Sequence, residues 1–142
     1  MVTVLLINGG SIIMGFWFFM LFMNLLIPLT MIGCGKYFMK NAPGSINIVF
    51  GYRTSMSMKN QDTWKFAHEY CGKLWYQWGK ITLIVTLVAM FFLLGKSVDT
   101  IGNWGGVICM IQLVPLIGVI GPTEDALRKT FDKDGNRKKT DI

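Results

Sequence analysis

Between Met1 and Gly35 the chain carries no charged residue at all. A second stretch, from Ile81 to Thr123, carries only Lys96 and Asp99. A soluble core helix does not need runs of this length. About 20 apolar residues are what an α-helix needs to cross a hydrocarbon layer about 30 Å thick. The first constraint is therefore a bilayer. Charged residues make up 15% of the chain, where roughly 25% is usual for a soluble domain. The start lacks a basic leader and its apolar run exceeds a signal-peptide core, so the first segment is expected to stay as an anchor.

Three membrane helices follow from this pattern. The first spans about 12–32, carries Pro28 near its end, where a kink in the last turn is expected, and buries one strongly polar side chain, Asn24. Asn24 reads either as a helix–helix hydrogen bond or as a ligand contact. The second apolar run, 81–94, is too short to cross alone. It spans only if the helix begins near Leu74, about 74–94, with Lys80 reaching back to the interface. Trp75, Tyr76 and Trp78 then form an interfacial aromatic belt. The third span is about 102–120, where Gly105, Gly106 and Gly118 would let backbones approach closely and Pro115 predicts a kink. The expected fold class is all-α, a three-span integral membrane domain over 1–122. A basic and acidic tail over 123–142 is expected to be helical to about Phe131, with Thr123 as cap, and disordered beyond.

The polar stretch between the first two spans, 36–78, holds the information. Trp64, Ala67, His68, Cys71, Leu74, Trp75 and Trp78 recur at steps of three and four, which predicts one helical face. Asn60 or Asp62 would cap that helix, and the helix would run unbroken into the second span as a cytoplasmic amphipathic extension. Asn41-Ala-Pro-Gly44 reads as a turn, and 45–52 as an extended connection.

Orientation follows from Lys and Arg counts. The first loop has seven and the tail six, the second loop one and the N-terminal flank none. Three spans put the first loop and the tail on one side. The expectation is an outside N-terminus, a cytoplasmic C-terminus, and basic loops lying against anionic lipid headgroups rather than nucleic acid.

Few constellations offer chemistry. His68 and Cys71 could supply two metal ligands on one face, but a structural zinc site needs four and no further Cys/His cluster lies near. His68 otherwise reads as a packed, hydrogen-bonded histidine or as a proton-sensitive switch. Arg53 reads either as an ion pair with Asp62 or Glu69 that locks loop to helix, or as a fork for a headgroup, toxin or ligand. No nucleophile–base set or P-loop occurs, and Asp132-Lys-Asp134-Gly135 lacks the remaining ligands of an EF-hand. No catalytic residue, metal or cofactor is expected.

One resemblance organises the loop. Asn47, Gly51, Arg53, Thr54, Asn60, Trp64, His68 and Gly72, with Ser57 and Gly79, resemble the signature of the SdpI family over about 47–79. The family is named for a bacterial immunity protein against a secreted sporulation-delaying toxin. The namesake is longer, and this chain is similar to the short members. The resemblance implies a non-enzymatic protein of the bacterial cell membrane that gives immunity to, or senses, a membrane-active peptide toxin. It also implies a cytoplasmic regulator as partner and binding through those motif residues. A small oligomeric transporter or channel subunit is the alternative. It needs a homo-oligomer, and the absence of acidic residues in the spans weighs against ion coupling.

Overall fold

The computed structural model describes residues 2–139. Four helices follow in chain order: α1 (Val2–Lys40), α2 (Gln61–Phe92), α3 (Val98–Gly118) and α4 (Ile120–Thr130). By length and composition three helical stretches can cross a membrane: Gly9–Lys40, Gln61–Phe92, and Val98–Thr130, which joins α3 to α4. The all-helical, three-span expectation holds. Pro28 and Pro115 lie inside uninterrupted helices.

α1 and α2 form an antiparallel pair. At one end the Trp17 indole N–H donates to the Met90 carbonyl at 2.8 Å. At the other, a Cβ placed on Gly35 would lie 2.6 Å from the Tyr76 nitrogen, and one on Gly72 would lie 2.8 Å from the Gly35 carbonyl. The two backbones touch because neither residue has a side chain. In lipid this close approach gives dispersion contact that burial of apolar area cannot supply. Gly79 repeats the device one heptad on, against Met31 and Ile32.

α3 lies across both. Gly105 admits the Met20 side chain, whereas Gly106 and Gly118 have nothing within 4 Å of an added Cβ, so only the first of the three expected glycines mediates packing within the described chain. Gln112 ties the three helices together. Its Nε2 donates to the Asn24 carbonyl at 3.0 Å and to Thr86 Oγ1 at 2.6 Å. Asn24 therefore joins the interhelical bond through its backbone, while its side-chain amide caps the Met20 carbonyl of its own helix at 3.0 Å. The outer faces are apolar and exposed, with Phe18, Phe22, Ile84, Phe91, Met110 and Val114 all bare. Water would not tolerate that surface; lipid does.

α2 is longer than a bilayer needs. Its 32 residues extend about 48 Å, some 18 Å more than the hydrocarbon core. Trp75 Nε1 donates to the Leu116 carbonyl at 3.0 Å, which levels Trp75 with the end of α3. The turns of α2 before Trp75 extend past that level. There they pack with the motif loop, α4 and the tail around a buried cluster that includes Tyr52, Ala67, Cys71, Val119, Leu127 and Phe131.

α4 starts on Val119 without a side-chain cap. Thr123, expected as that cap, instead lies a turn inside and donates to the Val119 carbonyl at 2.6 Å. The tail beyond Phe131, expected to be disordered, is folded through Lys139. A bridge pairs Phe131 with Arg137, and Asp132 closes the turn by accepting from the Asp134 and Asn136 backbone N–H groups at 2.9 Å each. Residues 140–142 of the expected tail lie outside the described residues.

Candidate functional site

The loop 41–60 is short of regular structure because its backbone is satisfied by side chains. No strand forms at 45–52, contrary to the extended reading. Instead Asn47 Oδ1 accepts from the Val49 and Phe50 N–H groups at 3.1 and 2.8 Å, an Asx turn that replaces ladder bonds. Phe50 packs edge-on against Phe38 of α1, with ring centroids 5.5 Å apart.

Gly51 follows with φ +118°, a backbone region in which side chains are strained. A Cβ there would also lie 2.2 Å from His68 Nε2. The conformation brings the Tyr52 N–H onto that nitrogen at 2.8 Å. The opposite ring nitrogen, Nδ1, lies 2.7 Å from the Trp64 carbonyl. Nε2 can accept only when unprotonated, so the bonding assigns a neutral imidazole with its proton on Nδ1. His68 is fully buried between Trp64 and Phe38, at ring separations of 4.3 and 5.0 Å. Both nitrogens are committed within the chain. Among the described residues no group of three His, Cys, Asp or Glu side chains could hold a metal.

Tyr52 extends this latch to α4. Its hydroxyl reaches Glu124 Oε1 at 3.0 Å and the Ile120 carbonyl at 3.2 Å. Burial and the Glu124 carboxylate push the phenol above its ordinary value, so it stays protonated as the donor. Ser57, also fully buried, donates to the Tyr52 carbonyl at 3.1 Å and accepts from the Thr54 N–H at 2.9 Å. Thr54 Oγ1 returns a bond to the Ser57 N–H at 3.2 Å. Trp64 holds the turn before the loop, its indole N–H on the Pro43 carbonyl at 2.8 Å.

Asn60 is the cap of α2. Its Oδ1 accepts from the Asp62 and Thr63 N–H groups, and Thr63 Oγ1 accepts from the Asn60 N–H in return. Its Nδ2 reaches into the tail turn, donating to the Gly135 carbonyl at 2.6 Å. Beside it Arg137 grips Asp62 with two bonds of 2.6 and 2.8 Å. Asp62 is thus paired, but with the tail rather than with Arg53. Arg53 is exposed, and its Nη1 donates to the Ile48 carbonyl of its own loop. The expected lock between Arg53 and Asp62 or Glu69 does not form: Arg137 holds Asp62, Lys65 lies 4.0 Å from Glu69, and the Arg53 guanidinium bonds within its own loop.

The signature residues therefore converge. Gly51, Trp64, His68 and Gly72 form one packed unit against α1. Asn47, Thr54 and Asn60 fold the chain around it, and Arg53 stands outside. The family model of the SdpI/YfhL protein family matches residues 45–123, more than half of the chain. The chain belongs to the SdpI/YfhL family. No curated protein and no solved structure matches it. The family region leaves out parts of the site that only the structure reveals. Gly35 and Phe38 of α1, and Gly135 and Arg137 of the tail, lie outside it. Glu124 also falls outside it, one residue past its end. Gly35, just before Lys36, was the one signal for the α1 contact.

Beside the latch a groove of about 590 Å³ opens between α2 and α3. Trp78, Val85, Ile111 and Val114 form its walls, with Thr82, Thr86 and Gln112 at its floor. Gln112 Oε1 is buried and has no hydrogen-bond partner within the described residues. The two ends of the groove differ. Leu74 and Val119, which line it at the loop end, also belong to the packed cluster around Tyr52.

Proposed function

We propose that the chain is a non-enzymatic bacterial membrane protein of SdpI type that senses, or protects the cell from, a membrane-active peptide, and relays its presence to a cytoplasmic regulator. The observation that carries this reading is the sharing of Leu74 and Val119 between the lipid-facing groove and the latch. An apolar occupant between α2 and α3 presses on the side chains that seat Tyr52, and hence on the loop and α4. The polar groups of the signature favour a structural role over a catalytic one. His68, Ser57, Thr54 and Asn60 are occupied with one another and with backbone, leaving no base aimed at a nucleophile.

The same reading orients the molecule. Every Lys and Arg but Lys96 belongs to the loop end of the bundle, and cytoplasmic ends carry the excess of such residues. The loop end then faces the cytoplasm. The tip Ile48-Val49, 77% and 83% exposed beside Lys36, Lys40 and Arg53, lies against the inner leaflet. The test is expression in sensitive cells followed by challenge with the cognate peptide. Protection is expected, and Gly118→Trp, which fills the groove, is expected to remove it while the protein still accumulates in the membrane. Equal killing with and without the protein refutes the reading.

A further inference from the structure

The tail turn creates a second concavity. Residues 131–138 fold against the last turn of α4 and the segment before α2, leaving a cleft of about 670 Å³. Its floor is Met56 and Phe131, both buried. Its rim carries Lys59, Arg128, Lys133 and Lys138. Among the described residues Asp132 is the one acid that lines it, and that carboxylate is turned into its own hairpin, accepting from the Asp134 and Asn136 backbone N–H groups and the Asn136 side chain. The rim is strongly positive over an apolar floor.

Two of the four cations are held in place. Lys59 Nζ donates to the Lys133 carbonyl, and Lys138 Nζ to the Arg128 carbonyl at 2.7 Å. Carbonyl bonds anchor an ammonium without neutralising it. Fixed side chains of this kind lose less freedom when a ligand arrives, which favours binding.

The height of the cleft decides what can reach it. Trp75 is level with the end of α3. Asn60, next to the rim residue Lys59, is fifteen residues earlier along α2, a rise of about 22 Å. The headgroup layer on each face is only about 5–8 Å deep. With Trp75 at the membrane interface, as the aromatic-belt reading of the second span has it, the cleft stands in water, clear of lipid phosphates, and its counter-charge comes from a soluble molecule. An apolar floor under a cationic rim fits a peptide better than a bare ion.

We propose that this cleft binds an acidic segment of a soluble protein, Asp or Glu carboxylates on the four cations and an interleaved apolar side chain on Met56 and Phe131. The inference deepens the regulator reading above and rests on it only for the compartment in which the partner is met. The experiment uses the full chain in nanodiscs of zwitterionic phosphatidylcholine and a fluorescein-labelled peptide of alternating Glu and Leu, read by anisotropy. Binding is expected, weakening about tenfold as salt rises from about 0.05 to 0.3 M. The Arg128→Glu/Lys133→Glu pair should weaken it by about tenfold or more, since charge is reversed while both anchoring carbonyls remain. Lys40→Glu/Lys96→Glu makes the same change in net charge elsewhere and should leave affinity within about twofold. Matched thermal unfolding of the two pairs confirms that both are folded. Absence of binding, or equal loss with both pairs, overturns the proposal, and so does displacement of the peptide by phosphatidylserine added to the nanodisc. The assay contains no toxin, so its outcome is independent of the peptide-challenge result.

Discussion

Replacing Gly51 by alanine attacks the latch at two points whose costs can be worked out separately. The first is backbone. At φ +118° a Cβ is strained, and residues forced into such regions cost about 1–3 kcal/mol. The second is contact. The new methyl would lie 2.2 Å from His68 Nε2, and His68 has no room to retreat, being enclosed by Trp64 and Phe38. The loop must lift, and the Tyr52 N–H loses its buried acceptor, a loss of about 1–3 kcal/mol. Together the two come to about 2–6 kcal/mol, directed at local opening rather than at the spans. Cys71 reports that opening. It is fully buried under Tyr52, whereas Cys34 and Cys109 are half-buried and can be replaced by serine first. With 1.4 kcal/mol per tenfold, a cost near 3 kcal/mol raises the maleimide labelling rate of Cys71 by about two orders of magnitude. In a His68→Ala background the ring that the methyl would strike is gone, so only the backbone part of the Gly51→Ala effect should remain. Labelling of Gly51→Ala at the unsubstituted rate would refute the argument, and an undiminished effect in the His68→Ala background would refute its contact half.

Three further outcomes follow from the same geometry. The Tyr52–His68 bond needs a neutral imidazole, so the stability it adds is full above the free histidine value near 6.5 and is lost as pH falls below it; the thermal midpoint read by tryptophan fluorescence should be flat above about pH 7, drop below about pH 6, and lose this step in His68→Gln. Gly72→Ala places a methyl against the backbone of α1 and should lower resistance to unfolding in mixed micelles by about 1–3 kcal/mol, whereas Gly106→Ala, with open space around it, should not lower it. Tyr52→Phe removes the bond to Glu124 and Ile120 and should raise Cys71 labelling by about three- to tenfold, the equivalent of about 1 kcal/mol.

The parts of this molecule that were legible in its sequence are those governed by repetition or by local chemistry. Uncharged runs announce the spans because a bilayer filters every residue in them alike. The steps of three and four from Trp64 to Trp78 announce a helix, though its face is divided. Trp64 is buried at the base, Trp75 bonds across to α3, and Trp78 is half-exposed in the groove wall. Asn60 was readable as a cap because its partners are two and three residues away. The connections that were not legible are single pairs between distant residues, with no period to betray them. Tyr52 and Glu124 are 72 positions apart, and Asp62 and Arg137 are 75 apart. Asp62 had nearer cations on offer in Lys59, Lys65 and Arg53. The folded tail wins because its turn delivers Arg137 in a two-bond geometry that a flexible neighbour does not match. The motif, read from spacing, named most members of the site without saying that they would face one another or that Arg53 would stand apart.

The grip of the tail on the start of α2 also sets an order of events. A polypeptide emerges from its N-terminal side, and the spans can enter the bilayer while synthesis continues. Asn60 and Asp62 are made early, yet Gly135 and Arg137, to which they bind, are made some 75 positions later. Throughout that interval the first turn of α2 must be held without the tail, by the Asn60–Thr63 box and by the bonds of Gln61, Thr63 and Trp64 to the loop carbonyls of Gly44, Ser57 and Pro43. The loop end of the protein is therefore its last part to be completed, and a chain stopped before Gly135 would be seated in the membrane with that end unfastened.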